Sequence, residues 1–129
     1  MSLKSTALLM SLISVAYTAQ AQMKLTSGYI LILYENADFD LATARGCNRP
    51  DLYQDFTVAL EDALQHIPNV KHDKIPALMR NLKAKTEDTY NVLGFENPAH
   101  QAEQQASCPE NIKNLIERLA DLNRWVVES

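Results

Sequence analysis

Two cysteines, Cys47 and Cys108, and three histidines, His66, His72 and His100, have the clearest capacity in this chain for redox or metal chemistry. A thiol pair serves as a disulfide, as nucleophiles or as half of a metal site, and the redox compartment decides among these. That compartment is read from the first residues. Lys4 supplies a positive n-region, Ala7 to Ala16 an apolar stretch broken only by Ser11 and Ser14, and Ala19-Gln20-Ala21 a small-x-small cleavage site. Residues 1–21 therefore read as a cleavable export signal. The apolar stretch is about half the roughly 20 residues that a membrane span requires. Position 22 is Gln, not the cysteine of a lipoprotein. The expected product is a periplasmic domain of residues 22–129, with no membrane span and no lipid anchor.

In an oxidising compartment Cys47 and Cys108 are expected to pair with each other. The bridge would close a loop of 61 residues, which chain-entropy arithmetic values at roughly 4 kcal/mol. That is a large share of the net stability of a domain this small.

No two histidines stand at i,i+3 or i,i+4, the spacing that sets two ligands side by side on a helix. The best local cluster is Glu96, His100 and Glu103, which lacks the partner sites of a carboxylate-bridged metal bundle. The C-x-x-C-H haem attachment pattern is absent. Met79 reads as core filler, and His66 suits a helix C-terminus. Ser107 reads as a turn or capping residue. The sequence shows no nucleophile beside a base, no glycine-rich phosphate loop and no framed pair of carboxylates. Neither a metal, a cofactor nor catalysis is expected.

Loss of Lys4 with the signal takes the net charge from −4 to −5, a balance that argues against nucleic acid as a partner. The exception is residues 70–85, where Lys71, Lys74, Arg80, Lys83 and Lys85 face a single acid, Asp73. These five cations suit an anionic headgroup, a cell-wall polymer or an acidic partner patch, or else form a solvated helix face. In the acidic remainder, Glu35, Asp38, Asp40, Asp51 and Asp55 suit electrostatic steering toward a basic partner. Asp51 is equally expected in a helix first turn, where it complements the dipole.

The elements that carry these residues follow from apolar periodicity. Ile30, Leu33, Tyr34, Ala37, Leu41 and Ala44 predict one helix from Ser27 to Ala44, with Gly46 as its stop. GYILILYE also favours a strand over Tyr29–Tyr34, but no second strand is available to pair with it. Pro50 starts a second helix through Leu52, Phe56, Ala59, Leu60, Ala63 and Leu64, and Pro68 halts it. A third runs from near Pro76 to Leu93 and ends at Gly94, with Phe95 placed for a hydrophobic cap contact. Asn97-Pro98 predicts a short exposed helix to about Ala106. Pro109 starts the last main helix, with Ile112, Leu115, Ile116, Leu119, Leu122 and Val126 on one stripe. The expected fold is an all-α bundle of four main amphipathic helices, plus a short fifth, in one domain. The disulfide would then clasp the N-terminal ends of the second and fourth main helices.

Two features point to binding. The first helix carries a second apolar stripe through Tyr29, Ile32 and Phe39, beyond what one core face requires, which suits a partner or a second copy of the chain. A helix buried on two sides explains it equally well. Trp125, off the centre of the last apolar stripe, suits either an interface anchor or a half-buried packing residue. The expected function is binding of another periplasmic protein, in its sharper form as an inhibitor or immunity protein. The alternatives are a small-ligand or metal carrier and a stress chaperone.

Overall fold

Thr26 opens the first helix by accepting the Tyr29 amide on its hydroxyl at 3.2 Å, which satisfies one of the free donors of the first turn. The computed structural model describes residues 24–129, so the export signal expected over 1–21 lies outside the described residues. Five α-helices follow: α1 (Ser27–Glu35), α2 (Ala37–Gly46), α3 (Pro50–Gln65), α4 (Ile75–Leu93) and α5 (Pro98–Glu128). A 3₁₀ turn at His72–Lys74 leads into α4. No strand occurs among the described residues. The protein is an all-α bundle clasped by the Cys47–Cys108 disulfide.

Two expected boundaries move. The helix read as continuous from Ser27 to Ala44 breaks at Asn36, which leaves helical geometry at φ −105° and ψ 4°. Its backbone N–H donates to Ile32 O at 3.1 Å and its side-chain Nδ2 to the same carbonyl at 2.9 Å. A short amide side chain thus competes for the carbonyl that closes the last turn. The chain restarts at Ala37, and Asp38 and Asp40 occupy the new first turn, where the helix dipole favours carboxylates.

The second change is a fusion. The short helix expected to Ala106 and the last helix expected from Pro109 form one 31-residue helix, α5, with Pro109 inside it. Asn97 caps its start by accepting the Ala99 amide at 3.0 Å. An interior proline removes one backbone bond and costs about 3 kcal/mol. The weakened turn is tethered from outside. Gln105 Nε2 donates to Gly46 O at 3.0 Å, and Cys108 is bonded to Cys47 with their Cα atoms 5.7 Å apart. The bridge therefore joins the C-terminal end of α2 to the body of α5, not two helix starts.

Most of α2 is interior. Ala37, Ala42, Thr43 and Ala44 are buried on several sides, and their small side chains let α3, α4 and α5 all pack against it. The main core gathers Ile30, Leu33, Leu41, Phe56, Leu60, Leu64, Ile75, Leu82, Leu115 and Leu122 from all five helices. A second, small cluster joins Ala42, Tyr90 and Phe95 beside the disulfide. Gly94 ends α4 with φ at 78°, a left-handed turn open to glycine. The chain then sends Phe95 back inward to stack on Tyr90, ring centroids 5.8 Å apart.

Candidate functional site

Around the Asn36 break, Ile32 of α1 and Phe39 of α2 line one side of a groove of about 430 Å³, and Asn111 and Asn114 of α5 line the other. Ile32 is 54% exposed and Phe39 36% exposed, while Leu33 beneath them is buried. Exposed apolar side chains beside open amides form a surface with both desolvation energy and hydrogen-bonding capacity.

The floor of the groove is a charge pair. Asp40, only 2% exposed, accepts from Arg118 Nε at 3.1 and 3.0 Å and from Nη2 at 2.6 Å. Burial pushes the Asp40 carboxyl above its usual range, and the hydrogen bonds and charge of Arg118 act against that rise. The pair is geometrically strong because a planar guanidinium meets both carboxylate oxygens. One turn further along α5, Asp121 accepts the Tyr29 hydroxyl at 2.6 Å. Burial, with the Asp121 carboxylate, pushes the Tyr29 phenol up to about 12.

The structure separates the residues expected to meet a partner. Ile32 and Phe39 share the groove, whereas Tyr29 turns toward α5 and packs on the main core. Trp125 lies elsewhere, half-buried against that core, with its indole Nε1 donating to Ala63 O of α3 at 3.1 Å.

The five cations also divide. Lys71 and Lys74 lie at the 3₁₀ turn before α4, and Arg80 and Lys83 line a different groove. Lys85 donates to Glu35 O at 2.9 Å and lies 3.4 Å from Asp38. It fastens α4 to the Asn36 break. Nor do the five acids form a uniform steering surface. Asp40 is buried in its ion pair, Asp38 also accepts from Thr89 at 2.6 Å, and Asp51 is paired with Arg49. Glu35 and Asp55 remain exposed.

His66 Nδ1 lies 2.8 Å from Asp62 O, and His72 Nε2 lies 2.9 Å from Gln65 O. His100 packs over Gly94, and Glu96 accepts from the Tyr90 hydroxyl at 3.3 Å. Among the described residues no group of three or more His, Cys, Asp or Glu side chains is arranged to hold a metal. No described helix is long and apolar enough to cross a membrane.

Sequence reasoning did not assemble the Asp40–Arg118 pair or the two amides, Asn111 and Asn114. One signal was present: Asp40 directly precedes Leu41 and stands between Ala37 and Ala44 at helical spacing. A carboxylate so placed requires a partner. Comparison with protein-family models, with curated proteins and with solved structures finds no match to this chain.

Proposed function

We propose that this is an exported, non-catalytic binding protein that engages another protein of the periplasm through the groove at the Asn36 break. The observation that carries the proposal is the exposure of Ile32 and Phe39 together at one rim, opposite Asn111 and Asn114. Apolar anchors flanked by polar groups match the anatomy of a protein interface. An inhibitor or immunity role is the sharper form, in keeping with the absence of catalytic motifs in the sequence. Export accounts for the disulfide, because such bonds persist in oxidising compartments.

The test compares capture from a cell-envelope extract by the oxidised protein and by an Ile32→Glu/Phe39→Glu variant. Both positions are exposed, so circular dichroism of the variant should match that of the original. The expected result is a specific partner held by the original and lost by the folded variant. Equal recovery by both would remove the groove from the binding surface. Self-association lost in the variant would identify the partner as a second copy.

A further inference from the structure

A second groove, independent of the first, opens where α3 and α4 diverge over α2. Its volume is about 340 Å³, within the roughly 300–1,000 Å³ range of small-molecule sites. Leu41 of α2 and Leu82 of α4 are buried beneath it, and Met79 lines it from α4. Met is the apolar side chain best able to adapt to an inserted chain. Arg80 and Lys83, one turn apart on α4, are both exposed at its edge.

Four cations elsewhere in the bundle are already engaged. Arg45, Arg49, Lys85 and Arg118 each have a carboxylate partner. Among the described residues, Arg80 and Lys83 have neither an ion pair nor a hydrogen bond. Among the described residues Glu61, on the α3 wall, is the one acid lining the groove. The groove thus combines an apolar floor with a net positive rim, in a protein whose overall charge is negative. Such a layout recognises a molecule with an apolar body and an anionic head, because the body desolvates on leucine and methionine while the head gains charge-assisted bonds.

We propose that the α3–α4 groove binds a single-chain alkyl carboxylate of fatty-acid type, with its chain over Leu41, Met79 and Leu82 and its carboxylate between Arg80 and Lys83. One alkyl chain suits the volume, and no covalent step is involved. The positive run at residues 70–85 then has a local role at two of its five cations.

Calorimetric titration of the oxidised protein with dodecanoate below its micelle concentration tests this. The expected result is one site per chain, weakened about tenfold or more in Arg80→Gln/Lys83→Gln. Glu61→Gln should tighten binding severalfold, because a like charge leaves the wall. Failure of dodecanoate to bind would overturn the proposal, as would equal affinity in the double variant. Equal binding of neutral dodecyl maltoside would also overturn it, since the head would then go unrecognised. Binding to phosphatidylglycerol vesicles without binding of monomeric dodecanoate would make the cations a membrane contact and the groove no ligand site. All three substituted positions lie on the groove wall, outside the main core cluster, and circular dichroism confirms their folding.

Discussion

At its N-terminal end α2 is held to α5 by the Asp40–Arg118 ion pair, and at its C-terminal end by the Cys47–Cys108 bridge. The side chains packed around these two ties differ in kind. Beside the ion pair the surface opens into the groove flanked by Ile32 and Phe39. Beside the bridge, Phe95 stacks on Tyr90 and presses on Gly46, while Arg45 lies 3.9 Å over the Tyr90 ring. A charge pair keeps polar atoms at the base of an accessible groove. The covalent tie stands instead beside a small apolar cluster, whose buried members among the described residues are Ala42, Tyr90 and Phe95. Covalent constraint substitutes for burial when a small region has little to bury.

Removing the covalent tie breaks the comparison most severely. Cys47→Ala/Cys108→Ala should lose roughly 4 kcal/mol, from restored loop entropy in the unfolded chain, as measured by urea denaturation. Hydrogen exchange should rise first in the turn around Pro109, where the helix lacks one backbone donor. Uniform exchange along α5 would show that the bridge does not support the proline turn.

At the opposite end, Arg118→Met strands Asp40 and should cost about 3 kcal/mol. Asp40 then lacks its counter-charge, so its already raised carboxyl rises further, and between the ordinary carboxyl range and that raised value the folded state holds a proton that the unfolded state has released. Stability contributed by a raised pKa is present at low pH and lost as pH rises. The deficit of Arg118→Met relative to the original protein should therefore shrink on acidification. A deficit independent of pH would assign the loss to packing alone.

Gly46→Ala probes the covalent end without touching the bridge. A Cβ at Gly46 would run into the Phe95 ring, so about 2 kcal/mol should be lost to overpacking. That loss would come despite alanine's better helix propensity. Adding Phe95→Leu should recover part of it, and thermal denaturation of the two variants provides the measurement. No recovery would place the strain elsewhere.

The difference between the two ends also sets what was legible in the sequence. Apolar periodicity, Pro50 and Gly94 mark α3 and α4 well, because these signals act within one turn of backbone. The cysteine pair was legible through its chemistry. The break at Asn36 was not, because a single amide competing for one carbonyl leaves the apolar period intact on both sides. Pro109 misled in the opposite direction: locally it reads as a helix start, yet tethers from Gly46 and Cys47 carry α5 through it. Of the groove, Ile32 and Phe39 were visible as surplus apolar residues. Asn111, Asn114 and Arg118 were not, since only the packing of α5 across the break brings them there.

The smallest effect belongs to Tyr29, which extends the noncovalent end by one more turn. Its hydroxyl donates to Asp121 at 2.6 Å, three residues beyond Arg118. Tyr29→Phe should cost about 1 kcal/mol at neutral pH. Folded Tyr29 keeps its proton to about 12, against an ordinary value of 10.0. Across that window the folded state binds a proton that the unfolded state has lost, so stability must fall as pH rises. Tyr29→Phe removes this slope. Tyr34 and Tyr90 are also raised by burial, but they remain in both proteins and cancel in the difference. The stability gap between original and variant should therefore close from pH 10 upward. A constant gap would mean that the Tyr29 hydroxyl ionises alike in the folded and unfolded chains, leaving Asp40–Arg118 as the charged tie that distinguishes this end of α2 from the disulfide end.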